Sequence, residues 1–245
     1  MNTQTIFITG ATDGIGKLTA IGLAKQNTHI LIHGRNTEKL NKVIDEIKSL
    51  SNNNNVEGFT ADFSSLNEVR KLAKDVLVKY DSINVLINNA GAGFAAPRNG
   101  KEGTEIRMTV NYLAPFLLTN LLLPALEKAA PSRIVNVSSA GQSPVNFNDI
   151  MFEKNFDGVT AYTQSKLALV MFTFDLAEQL KNDNITVNCL HPGTYLDTNM
   201  VRKANIKPMG TAQSGADAEV YLATSPGVKN ITGKYFNVKK ETSAN

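Results

Sequence analysis

The chain has 245 residues, 42% of them apolar, enough to build the core of one large α/β domain. Net charge is +3, and its 25 basic residues are scattered without interleaved aromatics, which argues against a nucleic-acid surface. One cysteine, Cys189, excludes an internal disulfide framework, and its apolar setting at 185–190 marks a buried small hydrophobe rather than a reactive thiol.

Residues 1–5 carry neither a basic segment nor a long apolar one. No apolar run approaches the ~18 residues of a bilayer span. The longest, 114–126, is interrupted by Pro115, Thr119, Asn120 and Pro124. The expectation is a soluble, cytoplasmic protein without membrane contact.

Periodicity predicts strands at 5–8, 29–33, 56–60, 84–87, 133–137, 185–190 and 234–238. Between them it predicts helices at 15–26, 37–50, 66–80, 103–129, 160–181 and 216–223. The asparagine-rich stretch 52–55 reads as a solvated turn. No Pro/Gly/Ser-rich linker divides the chain, so residues 1–245 are expected to form one domain. Repeated strand–helix–strand units imply a doubly wound parallel sheet of Rossmann type, three layers α/β/α, with ligands bound beyond the carboxyl ends of the strands.

Gly10, Gly14 and Gly16 follow the first strand and open the first helix. Glycines there let the backbone turn tightly against a pyrophosphate, and the free amides of the helix start face the anion. Thr12, Asp13 and Ile15 complete that turn. Far along the chain, Tyr162 and Lys166 stand at i and i+4, on one helix face. A free tyrosine titrates near pH ~10, too high for efficient acid–base work. A neighbouring ammonium favours the phenolate and is expected to lower it.

The spacing Gly-x-x-x-Gly-x-Gly, with Thr9 before it, resembles the short-chain dehydrogenase/reductase family. The likeness continues through Asn88-Asn89-Ala90-Gly91, Asn111, Ser138-Ser139, Tyr162-x-x-x-Lys166 and His191-Pro192-Gly193. The tracts 110–122, 162–168 and 232–236 look most like its retinol-dehydrogenase-like branch. That resemblance implies a catalytic tetrad of Asn111, Ser139, Tyr162 and Lys166. Asn111 would bend its helix and hold a water leading from Lys166. Ser139, with Ser138 as the adjacent alternative, would bond the substrate oxygen, and Lys166 would also hold the nicotinamide ribose.

The resemblance also assigns the rest of the cofactor site. Asp62 would accept from the adenine amino group beside the Phe63 backbone, unless it serves as a helix N-cap. Asn89, Ala90 and Gly91 would flank the adenosine ribose, and Pro192, Gly193 and Thr194 the nicotinamide amide. Relatives place a threonine where this chain has Asp197, so Thr198 serves after a one-residue adjustment or the pyrophosphate contact is lost. At the end of the second strand, His33-Gly34-Arg35-Asn36 lacks the acidic residue of an NAD-preferring site. Arg35 offers a fork for a 2′-phosphate, with Asn36 beside it, so NADP (NADPH) is favoured over NAD. Lys17 adds charge near the turn or sits on the surface.

The expected reaction is hydride transfer between an alcohol and an aldehyde or ketone. Phe94, Phe147, Tyr195 and Met200 point to an apolar small-molecule substrate. The branch name does not by itself imply a retinoid. Residues 195–213 resemble the family's mobile substrate loop. The insert 142–159 either lines the pocket or packs on the protein's own surface. The three histidines show no metal-ligand spacing, and no metal is expected. Members of the family commonly pair through the helices at 103–129 and 160–181, giving a homodimer or homotetramer. The rivals are a dinucleotide-binding sensor without turnover and an NAD-linked alcohol dehydrogenase.

Overall fold

In the computed structural model, which describes residues 3–244, the alternating pattern resolves into one eight-stranded sheet. The strands are β1 (Thr5–Ile8), β2 (His29–Gly34), β3 (Val56–Thr60), β4 (Val85–Asn88), β5 (Ser132–Val137), β6 (Ile185–His191), β7 (Lys234–Asn237) and β8 (Lys240–Thr242). Their order is β3-β2-β1-β4-β5-β6-β7-β8. Every pairing is parallel except β7 with β8. The chain order reverses between β1 and β4, and a doubly wound sheet opens its ligand crevice at that point.

Apolar side chains alternate between two helical layers. Phe7 of β1 faces α3 (Leu66–Lys79), α5 (Ala114–Lys128) and α6 (Gly158–Gln179). Its neighbours Ile6 and Ile8 face α1 (Gly14–Ala24), α2 (Thr37–Ser51) and α8 (Ala212–Thr224). A strand buried on both faces needs apolar residues at both parities, which is why β1, β2 and β4 read as continuous runs.

The helix expected over 103–129 has a different construction. It begins at α4 (Ile106–Met108), where the Glu105 carboxylate caps the Met108 N–H at 2.7 Å. It then widens into one π-helical stretch, Thr109–Leu113, before α5. The helical run Ile106–Lys128 is, by length and composition, apolar enough to cross a membrane, although half of its most apolar stretch is buried in the protein. The helix continues through Pro115, just after the π-helical stretch, and through Pro124 inside α5, as the reading of one helix over 103–129 expected.

Three further departures have local causes. α8 starts at Ala212, capped by the Thr211 hydroxyl, rather than at 216. The loop at 195–213 contains α7 (Asn199–Lys203), capped by Thr198. The 52–55 turn is not simply solvated: Asn53 is buried, and its amide donates to the carbonyls of Ala24 (2.9 Å) and Thr28 (2.7 Å). Cys189 is buried as expected, and burial pushes its thiol up to about 12, which keeps it unreactive.

Candidate active site

The glycine-rich turn is held from two neighbouring strands. Asn89, just beyond β4, donates its amide to the carbonyls of Thr9 (2.7 Å) and Gly10 (3.0 Å). The Thr9 hydroxyl accepts the N–H groups of Asn89 and Ala90, both at 3.0 Å. A Cβ on Gly16 would lie 2.3 Å from the Asn89 amide nitrogen and 2.7 Å from the Gly10 carbonyl oxygen, so only glycine fits there. From the other side, His33 Nδ1 accepts the Gly10 N–H at 3.2 Å while its Nε2 faces the Ala61 carbonyl at 2.8 Å. Those partners put the single ring proton on Nε2. Burial pushes the His33 pKa down to about 4, so the ring is neutral at physiological pH.

Asp13 caps α1 by accepting the Gly14 N–H at 2.8 Å. Burial raises its carboxyl, but bonds from Lys39 (2.7 Å), Asn199 (2.6 Å) and Gly14 outweigh that and hold it below the usual range. Thr12 packs on Gly34, and Ile15 on Gly215 of α8. Arg35 is exposed at the end of β2, and Asn36 caps α2 by accepting the Lys39 N–H at 2.8 Å. Lys17 pairs with Glu46 at 2.9 Å on the surface.

Asp62 is not a helix N-cap. Ser65 caps α3, while the Asp62 carboxylate accepts the Ser64 N–H at 2.9 Å in a local turn. Burial raises the Asp62 carboxyl, and the Ser64 bonds together with the charges of Lys101 and Arg35 bring it below its ordinary value. The Phe63 ring is buried and stacks on His33, centroids 4.2 Å apart and 15° from parallel.

At the ends of β4, β5 and β6 the polar residues converge. Lys166, on α6, sends its ammonium 2.8 Å from the Val137 carbonyl, and it lies 5.8 Å from the centroid of the Tyr162 ring. Burial lowers the Lys166 pKa to about 8, partly opposed by the charge of Glu219. Ser139 is hydrogen-bonded to Tyr162, while Ser138 is turned inward, donating to the Lys166 carbonyl at 2.9 Å. Of the two serines, Ser139 is the one beside the phenol.

Burial pushes the Tyr162 phenol up, and the Ser139 bond only partly offsets it. Against the expected lowering by Lys166, burial dominates and holds the phenol above its ordinary value.

Asn111 lies in the π-helical stretch. Its oxygen accepts the Ala92 N–H at 2.7 Å, and its amide donates to the Ala92 carbonyl (3.0 Å) and the Ser165 hydroxyl (2.9 Å). It ties the loop after β4 to the helix that carries Tyr162. A Cβ on Gly91 would fall 3.4 Å from the Asn111 oxygen and 3.8 Å from the Lys166 ammonium, so Gly91 lies between them. Asn88 is more deeply structural: its amide donates to Asn136 (2.8 Å) and Thr119 (3.0 Å).

Beyond β6, the Thr194 hydroxyl lies 3.2 Å from His191 Nε2. Gly193 takes φ +136 against Leu196, and Pro192 is buried beside it. Asp197 is turned outward to Arg202 in a two-bond ion pair of 2.7 and 2.9 Å. Thr198 instead places its methyl against Gly14, 3.3 Å from where a Cβ would stand. The one-residue adjustment therefore brings Thr198, not Asp197, to the glycine turn. In the insert, Phe152 is buried with Met108, Ala161 and Ala168, while Phe147, Ile150 and Phe156 are exposed. Of the two expectations for the insert, Phe152 shows packing on the protein itself, while Phe147, Ile150 and Phe156 face outward.

Sequence reasoning missed Lys39, His33 and the buried Glu219. A histidine ending a strand beside the glycine turn is a usable signal for the second. Lys39 and Glu219 become neighbours of the site only through tertiary packing.

A family model described as short chain dehydrogenase matches residues 4–208. The chain belongs to the short chain dehydrogenase family. Mouse retinol dehydrogenase 13 is 34% identical over 97% of this chain and 76% of its own length. Human polyprenol dehydrogenase is 35% identical over 97% of this chain and 77% of its own length. These relatives put the chain in the retinol-dehydrogenase-like branch. Among solved structures, a Pseudomonas aeruginosa RhlG/NADP active-site complex is similar at TM-score 0.76 and 27% identity, covering 96% of this chain and 94% of that one.

Proposed function

We propose that this family member is an NADP-dependent oxidoreductase that interconverts an alcohol and an aldehyde or ketone, with Tyr162 as general acid/base. One observation carries the reading: Tyr162, Ser139 and Lys166 converge at the sheet edge that also holds the glycine-rich turn. NADPH, when bound, supplies the hydride. A phenol pushed up by burial keeps its proton at neutral pH, which is the form carbonyl reduction needs. Tyr162 gives that proton to the substrate oxygen, and Ser139 donates a hydrogen bond to the charge developing there. The Lys166 ammonium stabilises the resulting phenolate, and in alcohol oxidation the same groups run in reverse.

The residues present fit the cofactor. The N–H groups of the glycine turn open the start of α1, with Thr198 against Gly14. Arg35 is free to reach a 2′-phosphate, and Lys39 adds a second cation one turn away, shared with Asp13. Asp62, Asn89, Ala90, Gly91, Pro192, Gly193 and Thr194 complete the wall. The exposed apolar residues Tyr195 and Met200 beside the site favour an apolar substrate, in keeping with the retinol and polyprenol of the relatives' names. Exposed Phe116, Met171 and Phe174 on α5 and α6 support pairing of two copies. A cytoplasmic site of action belongs to the same reading and is tested by fractionating cells that express the full chain.

Fluorescence titration with NADPH and NADH, on the wild type and Arg35→Ala, tests the cofactor. Losing a charge-assisted contact of about 1.5–3 kcal/mol weakens NADPH by roughly 10- to 100-fold and leaves NADH unchanged. Equal NADH and NADPH affinities in the wild type would favour NAD-linked oxidation instead. Tyr162→Phe should keep NADPH binding and lose at least about 100-fold in turnover; unchanged output would favour a sensor.

A further inference from the structure

Arg107 is the largest fully buried side chain among the described residues, 1% exposed, and it stands in α4 outside the tetrad. It pairs with the Glu105 carboxylate, at 2.6 Å, itself buried. Its two terminal nitrogens also donate to backbone, to the carbonyls of Phe94 (2.6 Å), Pro97 (3.2 Å) and Ala96, while its Nε has no partner. A buried guanidinium is a costly way to gain stability, because desolvation offsets most of the attraction. What it does achieve here is geometric, since one rigid planar group holds three carbonyls within four residues of one loop.

That loop carries Phe94, whose ring meets the Tyr162 ring edge-on, centroids 6.2 Å apart at 81°. Gly91 and Gly93 precede Phe94, so the chain there has little stiffness of its own. The helix that bears Tyr162 starts in the same place. A Cβ on Gly158 would lie 2.6 Å from the Phe94 carbonyl oxygen and 3.2 Å from the Arg107 guanidinium. Arg98 extends the bracket to the insert by donating to the Phe152 carbonyl at 2.8 Å, and both guanidiniums lie over the Phe156 ring, at 5.3 and 5.4 Å.

We propose that Arg107 is a positioning residue: it holds Phe94 against Tyr162 and so fixes the wall that orients the phenol and the substrate beside it. The inference rests on the oxidoreductase reading above. It predicts an effect on turnover transmitted through Phe94, with no contact between Arg107 and the cofactor.

The test is a double-mutant cycle of Arg107→Gln and Phe94→Leu in the full chain. It is assayed by NADPH oxidation with octanal and benzaldehyde, with NADPH affinity measured by fluorescence. Misplacement of a reacting group by an ångström costs up to about 100-fold, so each single variant should lose at least about tenfold in kcat. NADPH affinity should stay within about twofold, and the double variant should be no slower than Phe94→Leu alone. Arg107→Lys should recover part of the loss.

Losses that multiply, or an unchanged kcat in Arg107→Gln, overturn the inference. Should Arg107→Gln fail to fold, Gly158→Ala perturbs the same contact by pressing on the Phe94 carbonyl. It should show the same kcat loss, and a normal kcat there overturns the inference equally. A wild type that oxidises no NADPH with either aldehyde, yet binds it, fails at the function itself and is distinguishable from every mutant outcome.

Discussion

The half of the sheet that carries the glycine turn and the half that carries Tyr162 are built on different terms. The glycine turn is bonded on both sides, by Asn89 and Thr9 on one and by His33 on the other. From Asn88 onward the interior is less resolved. All five buried side-chain polar atoms without a partner, among the described residues, lie there: on Asn88, Arg107, Ser132, His191 and Glu219. Unpaired buried polar atoms cost stability. The glycine-turn half is bonded into a fixed conformation, while the Tyr162 half keeps buried polar atoms with unmet hydrogen bonds.

The largest effect that would break this comparison is Gly16→Ala. Its Cβ collides with the Asn89 amide, and moving Asn89 gives up two hydrogen bonds that hold the turn. We expect a stability loss of about 2 kcal/mol or more, read from urea unfolding, together with loss of NADPH binding. Gly141→Ala is the control in the reacting half. Its Cβ meets Thr163 and Ser139 only at 3.5 and 3.6 Å, so stability should change by no more than about 0.5 kcal/mol. If Gly16→Ala were as mild as Gly141→Ala, the turn would be less tightly locked than its bonds imply.

The same contrast explains what could be read from the chain. The binding half is coded locally: glycines at fixed spacing, an arginine ending β2 and seven apolar strands are sequence patterns with a direct physical meaning. The reacting half was legible in its side chains but not in their support. Tyr162 and Lys166 follow from helix spacing, yet the rise in the Tyr162 pKa depends on burial that no local pattern encodes. Asn111 lies in the π-helical stretch of its helix, and its partners, the Ala92 backbone and Ser165 54 residues away, are visible only in the fold. β8 escaped notice because three exposed residues carry no apolar alternation. α7 escaped because five residues give no period to detect.

Glu219 sharpens the comparison through pH. It lies buried in α8, with one oxygen bonded to the Thr19 hydroxyl at 2.8 Å and the other without a partner. Burial pushes its pKa up to about 8, against weaker opposing pulls from Thr19 and Lys166. The folded protein therefore holds a proton that the unfolded chain releases near pH 4.5. Stability from this group is fully present below 4.5 and is lost as pH rises through 8, at about 1.4 kcal/mol per pH unit in between. Glu219→Gln removes the titration, so its stability advantage over the wild type should grow steadily from pH 5 to pH 8. Urea midpoints at pH 5, 6, 7 and 8 measure this, and a constant difference would mean the carboxyl is already ionised in the fold.

His33 is the corresponding group of the binding half, and its sign is opposite. Its folded pKa, about 4, lies below the ordinary 6.5, so the unfolded chain takes up a proton that the folded ring refuses. Stability from His33 is present above 6.5 and is lost as pH falls to 4, by about 3 kcal/mol in all. Protonation would also convert Nδ1 to a donor facing the Gly10 N–H, opening the glycine turn from the side Asn89 does not hold. Between pH 4.5 and 6.5 the two slopes run against each other, so the wild type should show little dependence from this pair. The His33 slope becomes visible once Glu219→Gln removes its counterweight. In that variant stability should fall from pH 6.5 towards 4.5, and His33→Asn added to it should flatten the profile. If the fall persists in the double variant, the acid sensitivity belongs to other groups and His33 is not the neutral pin of the glycine turn.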